Sequence, residues 1–115
     1  MSATYTTRSS QRKVRQIAFR IEGSTGTPTL EGLDKDQCTI VDSGTGHYTV
    51  TFKKAFAAAP HAVANCEAVD KVATLTTTAS TVIVKVNDVD TTPALSDGDV
   101  QVFVVGSDVT DRYGA

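Results

Sequence analysis

The chain has no tryptophan, one methionine, three prolines and two cysteines, and its first twenty residues hold no acid at all. Each scarcity excludes something. No apolar run approaches the roughly 20 residues that a membrane-spanning helix needs, so no membrane partner is expected. The opening stretch MSATYTTRSSQRKVRQ lacks the apolar core of a secretory signal. It is rich in Ser, Thr and Arg, yet it has no apolar stripe of the kind a transit peptide carries. Two cysteines, Cys38 and Cys66, are too few for a disulfide framework and fall in apparent strands. Buried free thiols are the default for such positions, with a single bridge as the alternative.

Thr and Val dominate what is there. β-branched side chains lose rotamer freedom in helices and pack well on pleated surfaces, so this usage leans towards strands. At 115 residues, 40 % of them hydrophobic, the chain suits one domain with one core. Net charge is −2 but divided unevenly: Arg8, Arg12, Lys13, Arg15 and Arg20 give the first twenty residues +5. The rest sets six basic residues against thirteen acidic ones, or −7. A basic arm on an acidic body can engage nucleic acid or lie on an acidic neighbour, including a copy of itself; the third alternative is a solvated tail.

Residues 1 to about 13 read as a polar extended arm, and residues 14–115 as the domain. VRQIAFRIEG alternates, with Ile17, Phe19 and Ile21 on one face, as a half-buried strand does. GSTGTPTLEGLDKDQ reads as an irregular loop, long enough to contain a short strand or a functional excursion. CTIVD and HYTVTF form a hairpin about SGTG, placing Tyr48, Val50 and Phe52 inward and His47, Thr49 and Thr51 outward. KKAFAAAP is a crossover, anchored by Phe56 and stopped at Pro60. HAVANCEAV (61–69) is a strand whose small face, Ala62 to Ala68, packs on another sheet or a neighbouring subunit. KVATLTTTASTVIVKVND gives two strands turning near Ala79 and Ser80. VDTTPALSDGD is a loop, and VQVFVVGSD is a final strand whose two faces both read as buried. Six to eight antiparallel strands spaced about ten residues apart define an all-β domain, a single β-sandwich or small barrel.

Chemistry is sparse. SGTG is followed by a strand rather than a helix and lacks the lysine of a phosphate loop, so it reads as a turn. His47, His61, Cys38 and Cys66 match no paired zinc-ligand spacing. Asp42, Ser43 and His47 are triad residue types crowded within six positions, whereas a working triad converges from separate elements. Asp88, Asp90, Asp97 and Asp99 surround one loop, where calcium is the functional alternative to solvated carboxylates. RSSQRKVR carries four basic residues in eight with only Tyr5 upstream for stacking, which favours phosphate or protein contact over base reading. No enzyme and no cofactor are expected.

The order of pieces in GTGHYTVTFKKAFAAAPHAVAN resembles a pattern recurring in structural proteins of tailed bacteriophages. A Gly-rich turn (Gly44, Gly46) leads to a Tyr-x-Val-x-Phe strand (Tyr48, Val50, Phe52), then Phe56, Pro60 and a strand of small apolar residues including Val63 and Ala64. STVIVKVND and VQVFVVGSD resemble the closing strands of the same modules, so the resemblance spans Ser43 to Asp108. It implies a β-sandwich-like module of tail fibres, head fibres or capsid decoration proteins, usually a trimer or other homo-oligomer, with no catalytic residues. With no shaft-forming sequence before the module, the expectation is a capsid decoration (cement) protein of the virion, bridging copies of the major capsid protein. A receptor- or glycan-binding fibre module is the alternative, and nucleic-acid contact by the arm a lesser one. The expected interaction residues are Arg8, Arg12, Lys13, Arg15, Ile17 and Phe19, with the Ala62–Ala68 face.

Overall fold

The computed structural model describes residues 14–89 and 94–108. The basic arm, with Arg8, Arg12 and Lys13, lies outside them, as do Asp90 and the last seven residues. Eight strands run in the order β1 (Val14–Glu22), β2 (Thr29–Glu31), β3 (Cys38–Gly44), β4 (His47–Phe52), β5 (His61–Cys66), β6 (Lys71–Thr77), β7 (Thr81–Asp88) and β8 (Val100–Ser107). A single 3-10 turn, Lys35–Gln37, precedes β3. All pairing is antiparallel, in two four-stranded sheets ordered β2-β1-β8-β5 and β3-β4-β7-β6. The protein is an all-β sandwich.

Alternation in the sequence becomes burial because one face of each strand meets the other sheet. Ile17, Phe19 and Ile21 of β1 and Val100, Val102 and Val104 of β8 face Tyr48, Val50 and Phe52 of β4 and Val82, Val84 and Val86 of β7. Together with Cys38 and Phe56 they form one core that contains no buried charged side chain. The small side of β5, Ala62, Ala64 and Cys66, packs inward on this core, resolving its two alternatives in favour of the opposing sheet. That strand stops at Cys66, earlier than its pattern implied. The Glu67 amide turns to the Asp99 carbonyl, and the chain crosses to the other sheet with Val69 wholly exposed.

The crossover from β4 to β5 contains no helix. Phe56 drops into the core, its ring edge-on to Phe52 at 5.0 Å between centroids. Arg15 lies 4.0 Å above the same ring, donates to the Lys54 and Ala55 carbonyls, and is bridged to Asp108 at 2.8 Å. A cation held over an aromatic face gains more once partly desolvated, so one side chain ties first strand, crossover and chain exit together.

Gly44 and Gly46 make the β3–β4 turn, with Gly46 at φ 61°. A Cβ on Gly46 would lie 2.6 Å from the Ser96 carbonyl and 2.7 Å from that of Val86, because the turn is tucked beneath the β7–β8 connection. SGTG is thus a turn packed against a loop, followed by a strand. Gly23 is constrained from the same side: an added methyl would come within 2.6 Å of the Gly98 carbonyl and collide with the Tyr48 hydroxyl. Gly23→Ala is therefore expected to destabilise the fold by about 1–3 kcal/mol, the usual cost of overpacking. Urea unfolding should show a lower midpoint with an unchanged slope.

Candidate interaction surface

The proposed site residues separate on inspection. Ile17 and Phe19 are 1 % and 3 % exposed, so both are used within the sandwich and have no surface to offer a neighbouring subunit. Arg15 is committed to Asp108, Phe56 and two carbonyls. β8 does pair on both sides, with β1 and β5, but its outward face is not buried: Phe103 is 42 % exposed and Val105 half-buried. Among the described residues no element covers the outside of that sheet, so there the expectation of two buried faces fails for want of a third layer.

What lies on that outer face was not singled out from the sequence. Strand register sets Ala18, Phe103 and Val63 side by side across β1, β8 and β5. Leu33 flanks them from the loop after β2, and it stands there because Asp34 clamps the loop to the edge of β1. The Ala18 amide donates to the Asp34 carboxylate at 2.8 Å and the Asp34 amide to the Ala18 carbonyl at 2.9 Å. The pair mimics a strand partner where β2 has run out, protecting an otherwise open edge. Leu33 and Val63 are 87 % and 64 % exposed. These residues line an open, mostly apolar depression of about 540 Å³.

One row further along, Glu31, Arg20, Gln101 and Asn65 align across the four strands. Arg20 is saturated: it donates to Glu31 at 2.6 Å, to both oxygens of Glu67 at 2.5 and 3.2 Å, and to Asp99 at 3.0 Å. Gln101 adds a bond to Glu67 at 2.7 Å. The Arg20 guanidinium holds Glu67 below the usual carboxylate range, against burial. For Asp99 burial pushes upward, but the Ser24 and Gly23 amides and Arg20 outweigh it and the carboxyl ends lower. Glu22 goes the other way, raised first by a hydrogen bond to Glu31 and then by that neighbour's charge. Four carboxylates thus surround one guanidinium, leaving a local surplus of three negative charges at the rim.

The remaining chemistry-bearing residues do not converge. Asp42 accepts from the Gly44 amide, and the Ser43 hydroxyl is paired with Thr49 rather than with a histidine. Asp97 takes the Gly46 amide at 2.8 Å and the Tyr48 hydroxyl at 3.3 Å, Asp99 takes two amides of the β1–β2 turn, and Asp88 pairs with Lys71 at 2.8 Å. Of the four acids of the calcium reading, the three that are described each serve a different structural partner. Among the described residues no three His, Cys, Asp or Glu side chains are grouped to hold a metal. Both cysteines are free. Comparison with protein-family models, with curated proteins and with solved structures finds no match to this chain.

Two expectations follow. Glu67 and Asp99 have lowered folded-state pKa values, so their contribution is complete above about pH 4, the ordinary carboxylate range, and is lost as pH falls through the folded values. Glu22 is raised and has the opposite sign: its ionised form costs stability at neutral pH and protonation relieves that cost. In urea midpoints measured from pH 7 to pH 3, Glu67→Gln should lower stability at pH 7 and flatten the acid limb, whereas Glu22→Gln should raise stability at pH 7. Separately, burial, and next the charge of Asp34, push the Cys38 thiol up to about 11. At pH 8 Cys38 should resist a thiol-specific disulfide reagent until the sandwich opens, and unfolding without reductant should release two thiols per chain.

Proposed function

We propose that this chain is a structural protein of a tailed-bacteriophage virion, a capsid decoration protein that self-associates and bridges shell subunits, and not an enzyme. The observation that carries the reading is the outer face of the β2-β1-β8-β5 sheet, which no other described element covers, with Leu33, Val63 and Phe103 exposed around a shallow depression. Exposed contiguous apolar surface rimmed by charge is characteristic of protein contact. It lies on a rigid sheet whose polar groups serve the fold, which suits adhesion better than turnover. The order of turn, Tyr-x-Val-x-Phe strand, crossover and small-residue strand resembles phage structural modules and supplies the setting. Its partners would be further copies of itself and the major capsid protein.

The depression favours a second reading, a receptor- or glycan-binding module of a head or tail fibre, because Asn65 and Gln101 offer polar groups beside the exposed ring of Phe103. Immunogold electron microscopy separates the two, using antibody to the recombinant protein on particles from the source that encodes it. Label spread evenly over the heads is expected. Label confined to fibre tips would transfer the assignment to the second reading, and purified particles without label would end both.

A further inference from the structure

The apolar depression and its acidic rim are adjacent, and they match in character one other part of the same chain. Residues 1–13 carry Arg8, Arg12 and Lys13 with no acid, and their one aromatic is Tyr5. The rim offers three unbalanced negative charges; the segment brings three positive ones. Tyr5 and Arg8 are three residues apart, about 10 Å when extended. The Phe103 row and the Arg20 row are two residues apart along the sheet, about 7 Å. An aromatic ring seated against Phe103 and Leu33 therefore brings the following arginine to Glu31 and Glu67. A cation there also relieves the two close carboxylates of Glu22 and Glu31, for which Arg20 is the neighbouring cation among the described residues.

The chain's own arm cannot bring all three of its cations to the rim. The arm joins the domain at Val14, which pairs with Ser107 at one end of the sheet, six residues and about 20 Å from Arg20. The chain's own Arg12 is tethered within about 8 Å of Val14 and its own Lys13 within about 4 Å. By that tether neither reaches the acids, whereas those of a second copy are under no such restraint.

We propose that the outer face of the β2-β1-β8-β5 sheet is the receptor for the basic N-terminal segment of a second copy of this chain, with Tyr5 in the depression and Arg8, Arg12 and Lys13 at the acidic rim. The inference rests on the self-association part of the reading above. It defines a head-to-tail contact, which closes into rings or continues as a row across a surface.

The test uses two full-length variants and light scattering after size exclusion. Arg8→Glu/Arg12→Glu/Lys13→Glu spoils the segment and leaves the face. Leu33→Glu/Val63→Glu spoils the face at two exposed positions and leaves the segment, and circular dichroism checks that the fold is kept. The wild type should associate, at least tenfold more weakly in 500 mM than in 50 mM salt, since exposed charge pairs are screened. Each variant alone should be monomeric at concentrations where the wild type associates, and an equimolar mixture should give a single heterodimer, one good face taking one good segment. The proposal is overturned if the wild type is monomeric, if the segment variant keeps the wild-type mass, or if the mixture stays monomeric. Loss of duplex DNA binding at unchanged mass would assign the segment to nucleic acid and overturn it equally. Gold label on particle heads alongside a monomeric wild type would leave the decoration reading standing and remove the exchange together with self-association in solution.

Discussion

A tyrosine hydroxyl at the end of an apolar interior has to find partners, and most of one pole of this molecule is arranged around that requirement. Tyr48 is fully buried on β4, donates to Asp97 and accepts from the Gly98 amide at 3.2 Å. A buried polar group left unmade costs about 1–3 kcal/mol, so the connection between β7 and β8 is held where those two residues lie. Asp97 then also takes the Gly46 amide, seating the β3–β4 turn beneath it. Two residues on, Asp99 reaches the Gly23 and Ser24 amides and Arg20. The charged rim of the outer face is thus the far end of a chain of contacts that begins in the core.

The apolar stripe and the rim differ in what they contribute. Arg20 and its carboxylates sit at the surface and are partly exposed, and ion pairs at the surface contribute little to stability, a median of about 0–1 kcal/mol each. They are better understood as setting direction and sign: Arg20 keeps the carboxylates ordered without neutralising them. Phe103, Leu33 and Val63 supply area that water would rather not cover. A surface with both properties selects a partner that is basic and carries at least one large apolar side chain.

Most of the sandwich could be read from period-two alternation, because a strand with one face in the core has to alternate. Ile17, Phe19 and Ile21, the Tyr48–Phe52 set and Val82–Val86 all lie where the pattern put them. The short strand inside the long β1–β3 loop was also anticipated, though not its position. The errors share one cause. In β8 every residue from Val100 to Val105 except Gln101 is apolar, and composition alone reads such a strand as covered on both sides. Whether a third layer covers the outer face is a property of the tertiary arrangement, and among the described residues none does. Ile17 and Phe19 were assigned to a surface for the converse reason, since a half-buried strand does not say which of its faces meets its own domain. The Arg20 cluster was not legible because Glu31, Glu67 and Asp99 are far apart in sequence and meet only through strand register.

The described chain enters at Val14 and leaves at Asp108 as close neighbours, since Val14 is paired with Ser107 in the last rung of the β1–β8 ladder. The turns around Gly23, Gly46 and Glu67 all lie at the opposite pole. The sandwich therefore has a tethered end and a free end. Anything joined directly at Val14 or Asp108, whether a peptide tag, a fluorescent protein or an antigen, would start from one and the same pole. The loops of the other pole would remain clear, so the domain has the geometry of a display scaffold with a single point of attachment.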